Sequence, residues 1–158
     1  MFKVKENFLN LKDCLHLKNE LSSNKFPWYF INQSVKKQKN ENFHLAHTFY
    51  IDNQINSDFF YLMDPLIKKL DVKSLVRIKA NLYPRTDNIS EQEKHKDQTF
   101  KCKIAIFYMN TNNGYTMIKN EKITSIENKI VLFENDSPHF GTNCTDEKFR
   151  LTLNFNYF

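Results

Sequence analysis

Cysteine is sparse in this chain of 158 residues: Cys14, Cys102 and Cys144, an odd number with no CxxC pair. That excludes a disulfide framework and a structural zinc site, and it points to a reducing compartment. Long hydrophobic runs are missing too. The N-terminal "MFKVKENFLNLKDC" has no signal-type apolar region, and no stretch approaches membrane-spanning length. The expectation is therefore a cytoplasmic protein without a membrane partner. No block of five or six like charges occurs, so the net charge of +5 and the pI near 9.0 give only weak support for a nucleic-acid partner. There is no internal repeat, no low-complexity tract and no Pro/Gly/Ser linker, which leaves 1–158 as one domain. Glycine is limited to two residues while Asn and Lys abound, a bias that reads as the codon economy of an AT-rich genome, such as a bacterium or a phage in its host.

What is present is apolar and aromatic. The hydrophobic fraction is 41% and the aromatic fraction 15%, which is enough to build a core. "LKDCLHLKNELSS" predicts a helix with Leu11, Leu15, Leu17 and Leu21 on its apolar stripe. "KFPWYFINQSV" predicts extended chain whose aromatics pack on the core, and "FHLAHTFYI" a strand. "SDFFYLMDPLIKKL" predicts a second helix, with Ser57 or Asp58 as N-cap. Residues 1–71 thus form helical and extended support.

From residue 72 the pattern turns to period two, predicting about eight short strands. In "SLVRIKANLY" Leu75, Arg77, Lys79 and Asn81 share one face, and Val76, Ile78, Ala80 and Leu82 the other. In "KFRLTLNFNYF" Phe149, Leu151, Leu153, Phe155 and Tyr157 oppose Arg150, Thr152, Asn154 and Asn156. Helices followed by strands give an α+β class with a β-sandwich or barrel.

Two of the five histidines carry chemistry by position. In "EKHKDQ", extended chain would turn His95 and Asp97 to one face, where an imidazole and a carboxylate can share a metal ion. A third ligand from a distant strand would complete the 2-His-1-carboxylate set of non-heme Fe(II) oxygenases. His139 in "SPHF", after the strand "KIVLFE", is the natural one. Taken alone, HxD within the polar "SEQEKHKDQ" also fits a solvated loop, and His139 alone also fits a satisfied core or surface histidine. Arg150 weighs against those readings. It sits on the polar face of the last strand among apolar rows, where a buried guanidinium needs a carboxylate, and "RLTLNFNYF" offers none. A ligand carboxylate, held bidentately, would meet the need.

HxD, a distal His and an Arg about ten residues later resemble the Fe(II)/2-oxoglutarate-dependent dioxygenases, and more closely the prolyl-4-hydroxylase-like branch. "NLYPR", "IFYMN", "NNGYT", "VLFENDSPH" and "FRLTLNF" look like that branch's successive segments, in order, over roughly 76–158. The resemblance implies a double-stranded β-helix (jelly-roll) core buttressed by N-terminal helices. It implies His95, Asp97 and His139 as Fe(II) ligands and Arg150 as the partner of the distal carboxylate of 2-oxoglutarate. Tyr83 and Tyr108 would stand near that carboxylate, and strand periodicity adds Thr152 and Asn154 to the pocket lining. The implied activity is O2-dependent hydroxylation of a C–H bond in a peptidyl proline or another amino-acid-like substrate, releasing succinate and CO2, with ascorbate as reductant. Asp97 argues against the halogenating variant. The substrate class stays open. Lys94, Lys96, Lys101 and Lys103 near the HxD keep a nucleic-acid dealkylase as an alternative, and a non-catalytic jelly-roll binding module is another. A cupin enzyme without 2-oxoglutarate leaves Arg150 unexplained. His44 and His47 read as strand residues on opposite faces, although they could reach the site mouth. Phe26, Trp28 and Tyr29 read as core packing before they read as a lid.

Overall fold

The computed structural model describes residues 2–31 and 43–158. Eleven strands and two α-helices follow one another as β1 (Phe2–Lys5), α1 (Leu11–Leu21), β2 (Tyr29–Ile31), β3 (His44–Ile51), β4 (Gln54–Ile55), α2 (Asp64–Leu70), β5 (Leu75–Pro84), β6 (Lys103–Tyr108), β7 (Tyr115–Ile118), β8 (Glu121–Thr124), β9 (Lys129–Glu134), β10 (His139–Gly141) and β11 (Phe149–Tyr157). A 3-10 turn, Phe60–Met63, precedes α2.

Eight strands form one sheet in the order β1-β9-β6-β11-β5-β3-β2, with β4 attached to β3, and a three-stranded sheet runs β10-β7-β8. Every pairing between these strands is antiparallel. Two sheets with a cavity between them make the jelly-roll core.

The period-two pattern decides which face each side chain takes. On the outer face of the large sheet, Ile78, Ala80, Ala105, Phe107, Ile130, Leu151, Leu153 and Phe155 pack against the helices in the main core. On the inner face, Ile104, Ile106, Tyr108, Val131 and Phe133 meet Ile118 and Ile123 of the small sheet in a second cluster. The inner side of β5 and β11 is polar instead, and there the cavity lies.

Several sequence expectations are corrected. α1 buries Cys14, Leu17 and Leu21, an i, i+3, i+7 stripe, while Leu11 and Leu15 are exposed. The second helix is shorter than predicted, because the 3-10 turn takes its first half. Neither Ser57 nor Asp58 caps α2; Ser57 Oγ instead accepts the Phe59 amide at 3.0 Å, ahead of the 3-10 turn. Leu75 leaves the face of Arg77, because a bulge pairs Asn156 with Arg77 and Tyr157 with Leu75 and so skips Val76. Seven strands, not eight, follow residue 72. Tyr29 and Phe30 are exposed, and only Phe26 of that aromatic group is buried. The rest of that stretch, 32–35, lies outside the described residues. β1 extends the core sheet by pairing with β9, which its "FKVK" sequence did not reveal.

Asparagine has a structural use besides composition. Among the described residues six non-glycine residues adopt positive φ, including Asn7, Asp52, Asn53, Asp71 and Asn128, and no glycine does. Asn and Asp tolerate this region because their short polar side chains bond locally. Asn128 also bonds both Leu9 N and Leu9 O, tying the start of α1 to the sheet.

Candidate metal centre and cosubstrate pocket

The HxD segment lies in the loop between β5 and β6 and is pinned to β10 at a single point. His95 and His139 form an antiparallel bridge, each donating its amide to the other's carbonyl at 3.0 Å. Directly opposed residues project side chains to the same face, and the two imidazole centroids stand 4.7 Å apart. Asp97, two residues on, returns to that face with Oδ1 3.7 Å from His95 Nε2. One ligand atom from each of His95, Asp97 and His139 lies within 4.8 Å of the others. Three residues drawn from two separated segments therefore converge on one point.

The donors are prepared for a cation. His95 Nδ1 lies 2.9 Å from the Glu93 carbonyl, to which it donates, and so Nε2 is the nitrogen turned toward Asp97. His139 is buried, and burial pushes its pKa down, so the ring is neutral at neutral pH; its Nδ1 has no hydrogen-bond partner. Burial alone would raise the Asp97 pKa. His95, the Arg77 guanidinium and Asn154 together hold the carboxyl far below the usual carboxylate range. Asn154 Nδ2 and Asn156 Nδ2 donate to Oδ2 at 3.0 and 2.9 Å, and Arg77 reaches Oδ1 at 3.0 Å. Asp97 pushes the His95 pKa up against the opposing effect of burial, so a metal ion would displace a proton held between them. Two imidazoles with a fixed carboxylate are the chemistry of a divalent transition-metal site.

Arg150 is 2% exposed, the most voluminous of the fully buried side chains. Its Nε donates to Ser125 Oγ at 2.8 Å, one terminal nitrogen to Thr116 Oγ1 at 2.9 Å and the other to the Thr142 carbonyl at 3.2 Å. Among the described residues no carboxylate pairs with it. A guanidinium carries five N–H groups, so two remain for a ligand. Tyr83 and Tyr108 flank it, each ring centroid 5.7 Å from the guanidinium carbon. Burial raises both phenol pKa values, so both hydroxyls are donors, and the Tyr108 hydroxyl is buried without a hydrogen-bond partner. A buried cation with unused donors beside an orphaned hydroxyl fits a carboxylate.

Both glycines of the chain stand against this side chain. A Cβ on Gly114 would come within 2.5 Å of Arg150 Cδ and 2.4 Å of the Asn143 carbonyl. One on Gly141 would lie 3.3 Å from an Arg150 terminal nitrogen. The chain keeps its scarce glycine where the arginine needs room, not where the backbone needs positive φ.

Triad and arginine open into one cavity of about 300 Å³. Of the residues singled out from the sequence, His95, Asp97, His139, Arg150, Tyr83, Thr152 and Asn154 line it, while Tyr108 sits against the guanidinium. Asn154 holds Asp97 rather than standing at the arginine. His44 lines the cavity and stacks on Tyr83 at 5.1 Å. His47 faces the core, bonded to the Pro27 carbonyl and Ser57 Oγ at 2.7 Å each. Of the four lysines near the HxD, Lys96 lines the cavity; Lys94, Lys101 and Lys103 do not. Sequence reasoning missed Arg77 and Asn156 as supports of Asp97, and Ser125 and Thr116 as supports of Arg150. The signal for the first pair was present, since both lie on the polar faces of their strands.

By sequence, no protein-family profile and no curated protein matches the chain. By structure, three solved proteins are similar over 99% of it. One is a 2OG-Fe(II) oxygenase family oxidoreductase from Burkholderia pseudomallei (7% identity, 84% of that chain, TM-score 0.71). Another is a prolyl hydroxylase from Trichoplax adhaerens in complex with a hypoxia inducible factor peptide fragment (15%, 83%, 0.67). The third is a non-heme alpha-ketoglutarate-dependent epimerase from nogalamycin biosynthesis (10%, 75%, 0.67). The fold is that of the 2OG-Fe(II) oxygenases, prolyl hydroxylases among them. No helix among the described residues is long and apolar enough to cross a membrane.

Proposed function

We propose that the protein is an Fe(II)- and 2-oxoglutarate-dependent dioxygenase that hydroxylates a C–H bond of a peptidyl proline or another amino-acid-like substrate. One observation carries the reading. A single cavity holds a 2-His-1-carboxylate cluster together with a buried, carboxylate-free arginine. Arg150 and Asn154 lie on the same face of β11 and line the same cavity, and Asn154 touches Asp97. A diacid bound at both places would explain why each is built as it is.

His95, Asp97 and His139 would hold Fe(II), and Arg150 with Tyr83 and Tyr108 the distal carboxylate. When bound, the metal, 2-oxoglutarate and O2 supply the oxidising chemistry, the diacid leaving as succinate and CO2. The chain's own work is positioning. Arg77, Asn154 and Asn156 keep Asp97 ionised and aimed, and the His95–His139 bridge fixes the two imidazoles. Thr116, Ser125 and the Thr142 carbonyl set the guanidinium plane and leave one N–H on each terminal nitrogen for a ligand. The tyrosine rings flank that charge and shield it from water, which strengthens its hold on a carboxylate.

Peptide binding by the Trichoplax relative supports a peptide substrate, and the epimerase shows that this fold does not fix the outcome at the carbon. The test is succinate formation from 2-oxoglutarate with Fe(II), O2 and ascorbate, followed by a screen of prolyl peptides and free amino acids. Metal-dependent succinate that disappears in Asp97→Ala and Arg150→Met supports the reading. Wild-type protein that binds neither metal nor 2-oxoglutarate overturns it.

A further inference from the structure

The cavity holds more positive charge than the proposed chemistry uses. Arg77, Lys79, Lys96 and Arg150 line it against one carboxylate, Asp97. A divalent metal and a dianionic cosubstrate cancel each other's charge, so the excess persists when both are bound. Arg150 would have the diacid and Arg77 has Asp97. Lys79 has no carboxylate within ion-pairing distance among the described residues.

Lys79 is also placed away from the arginine clamp. It pairs with Asn154 across β5 and β11, while Arg150 pairs with Tyr83, four residues further along β5. Its cross-strand neighbour is thus a residue that touches Asp97. Next to it on the same face, Arg77 has an Nε that is buried without a hydrogen-bond partner. His44 adds no charge, since burial and the nearby ammonium push its pKa down to about 4. Burial and Arg77 push the Lys79 ammonium down as well, the mark of a cation kept near another cation with little water. Such an arrangement is costly without an anion.

We propose, on the basis of the oxygenase reading, that Lys79, assisted by Arg77 Nε, binds an anionic group of the primary substrate, which is a small carboxylate- or phosphate-bearing molecule oxidised close to that group. The cavity volume is at the low end for ligand sites. After the cosubstrate it leaves room for a small molecule or one residue. This narrows the substrate to molecules that bring a negative charge of their own.

The experiment uses full-length protein saturated with Zn(II), which is redox-inert, and 2-oxoglutarate. Binding is followed calorimetrically for a panel of N-acetyl-L-amino acids and their neutral amides, and for glycerol 3-phosphate against glycerol. At least one anion should bind, with its neutral counterpart at least tenfold weaker. Lys79→Met should erase that difference and Lys79→Arg restore it, while 2-oxoglutarate affinity stays within about twofold in both. Preference within the acid and phosphate arms assigns the anion. Equal binding of neutral probes, no binding by any anion, or discrimination that survives Lys79→Met overturns the proposal. The 2-oxoglutarate titration is read separately, and its failure would sink the oxygenase reading as well.

Discussion

Replacing Arg150 with Met should separate cosubstrate binding from metal binding and from folding. The guanidinium is buried, holds three protein acceptors and has no carboxylate among the described residues. Methionine removes a desolvated charge from an apolar strand and roughly fills its space. Buried charges replaced by apolar groups of similar size are often neutral or stabilising. The three abandoned acceptors are neutral oxygens, two of them hydroxyls free to turn to other partners. Each left dry costs about 1–3 kcal/mol, and the desolvation penalty removed with the charge offsets most of that. The metal-free protein should therefore change in stability by no more than about 2 kcal/mol. Cosubstrate binding should change far more. Truncating one side of a buried, hydrogen-bonded charge pair costs about 2–5 kcal/mol, and the midpoint corresponds to a few hundredfold in Kd. If wild-type protein is measured at about 1,000 times its Kd, the ligand contributes about 4 kcal/mol of stability. The variant would keep about 1 kcal/mol of it. At about 2–4 °C per kcal/mol for a domain of this size, the rise in Tm caused by 2-oxoglutarate should shrink by about 6–12 °C. Calorimetric titration of Mn(II), then of 2-oxoglutarate, checks both affinities. An equal loss of both, or an unchanged 2-oxoglutarate affinity, would refute the clamp.

Gly114→Ala should weaken 2-oxoglutarate at least tenfold with metal affinity kept, because its new Cβ would meet Arg150 Cδ and the Asn143 carbonyl; the same two titrations decide it. Asp97→Ala should abolish metal binding and also destabilise the apo fold by about 1–2 kcal/mol, since it strands the Arg77 guanidinium, which is partly exposed, and two asparagine amides; urea denaturation measures it. Stability should fall with acid between pH 6.5 and about 4, because folded His44 titrates near 4 while the unfolded residue takes up its proton near 6.5. The unfolded state binds the extra proton in that window, so the His44 contribution is a loss on acidification that levels off below about pH 4, where Asp97, held far below the usual carboxylate range, continues the decline. His44→Gln should remove part of that slope, leaving the share of His47 and His139, whose burial acts in the same direction.

The features visible in the sequence share one physical origin. Strict alternation in "FRLTLNFNYF" and most of "LVRIKANLY" identified both faces of β11 and β5, because each strand separates an apolar core from a polar cavity. The HxD pair was visible because period-two geometry acts within three residues. Contacts made at a distance were hidden. That His95 and His139 bridge each other depends on how a loop crosses a short strand, and nothing in either segment states it. Arg77 and Asn156 lay on the correct faces, yet their approach to Asp97 depends on the register of three strands. The bulge that turned Leu75 to the core also lies in that register. In α1 the apolar stripe follows Cys14 rather than Leu11 and Leu15, because helical phase and not leucine count decides the buried face. Glycine scarcity in the sequence speaks only of composition. Its placement against Arg150 becomes visible only where the arginine's neighbours can be seen.

The measurement closest to the central claim is an anaerobic calorimetric titration of Fe(II) into the wild-type chain, His95→Ala, Asp97→Ala, His139→Ala and Arg150→Met. One ion per chain should bind the wild type and Arg150→Met alike, with each of the other three losing at least a hundredfold in affinity. Undiminished binding in any of those three, provided the variant remains folded, would mean that the three side chains do not share an ion.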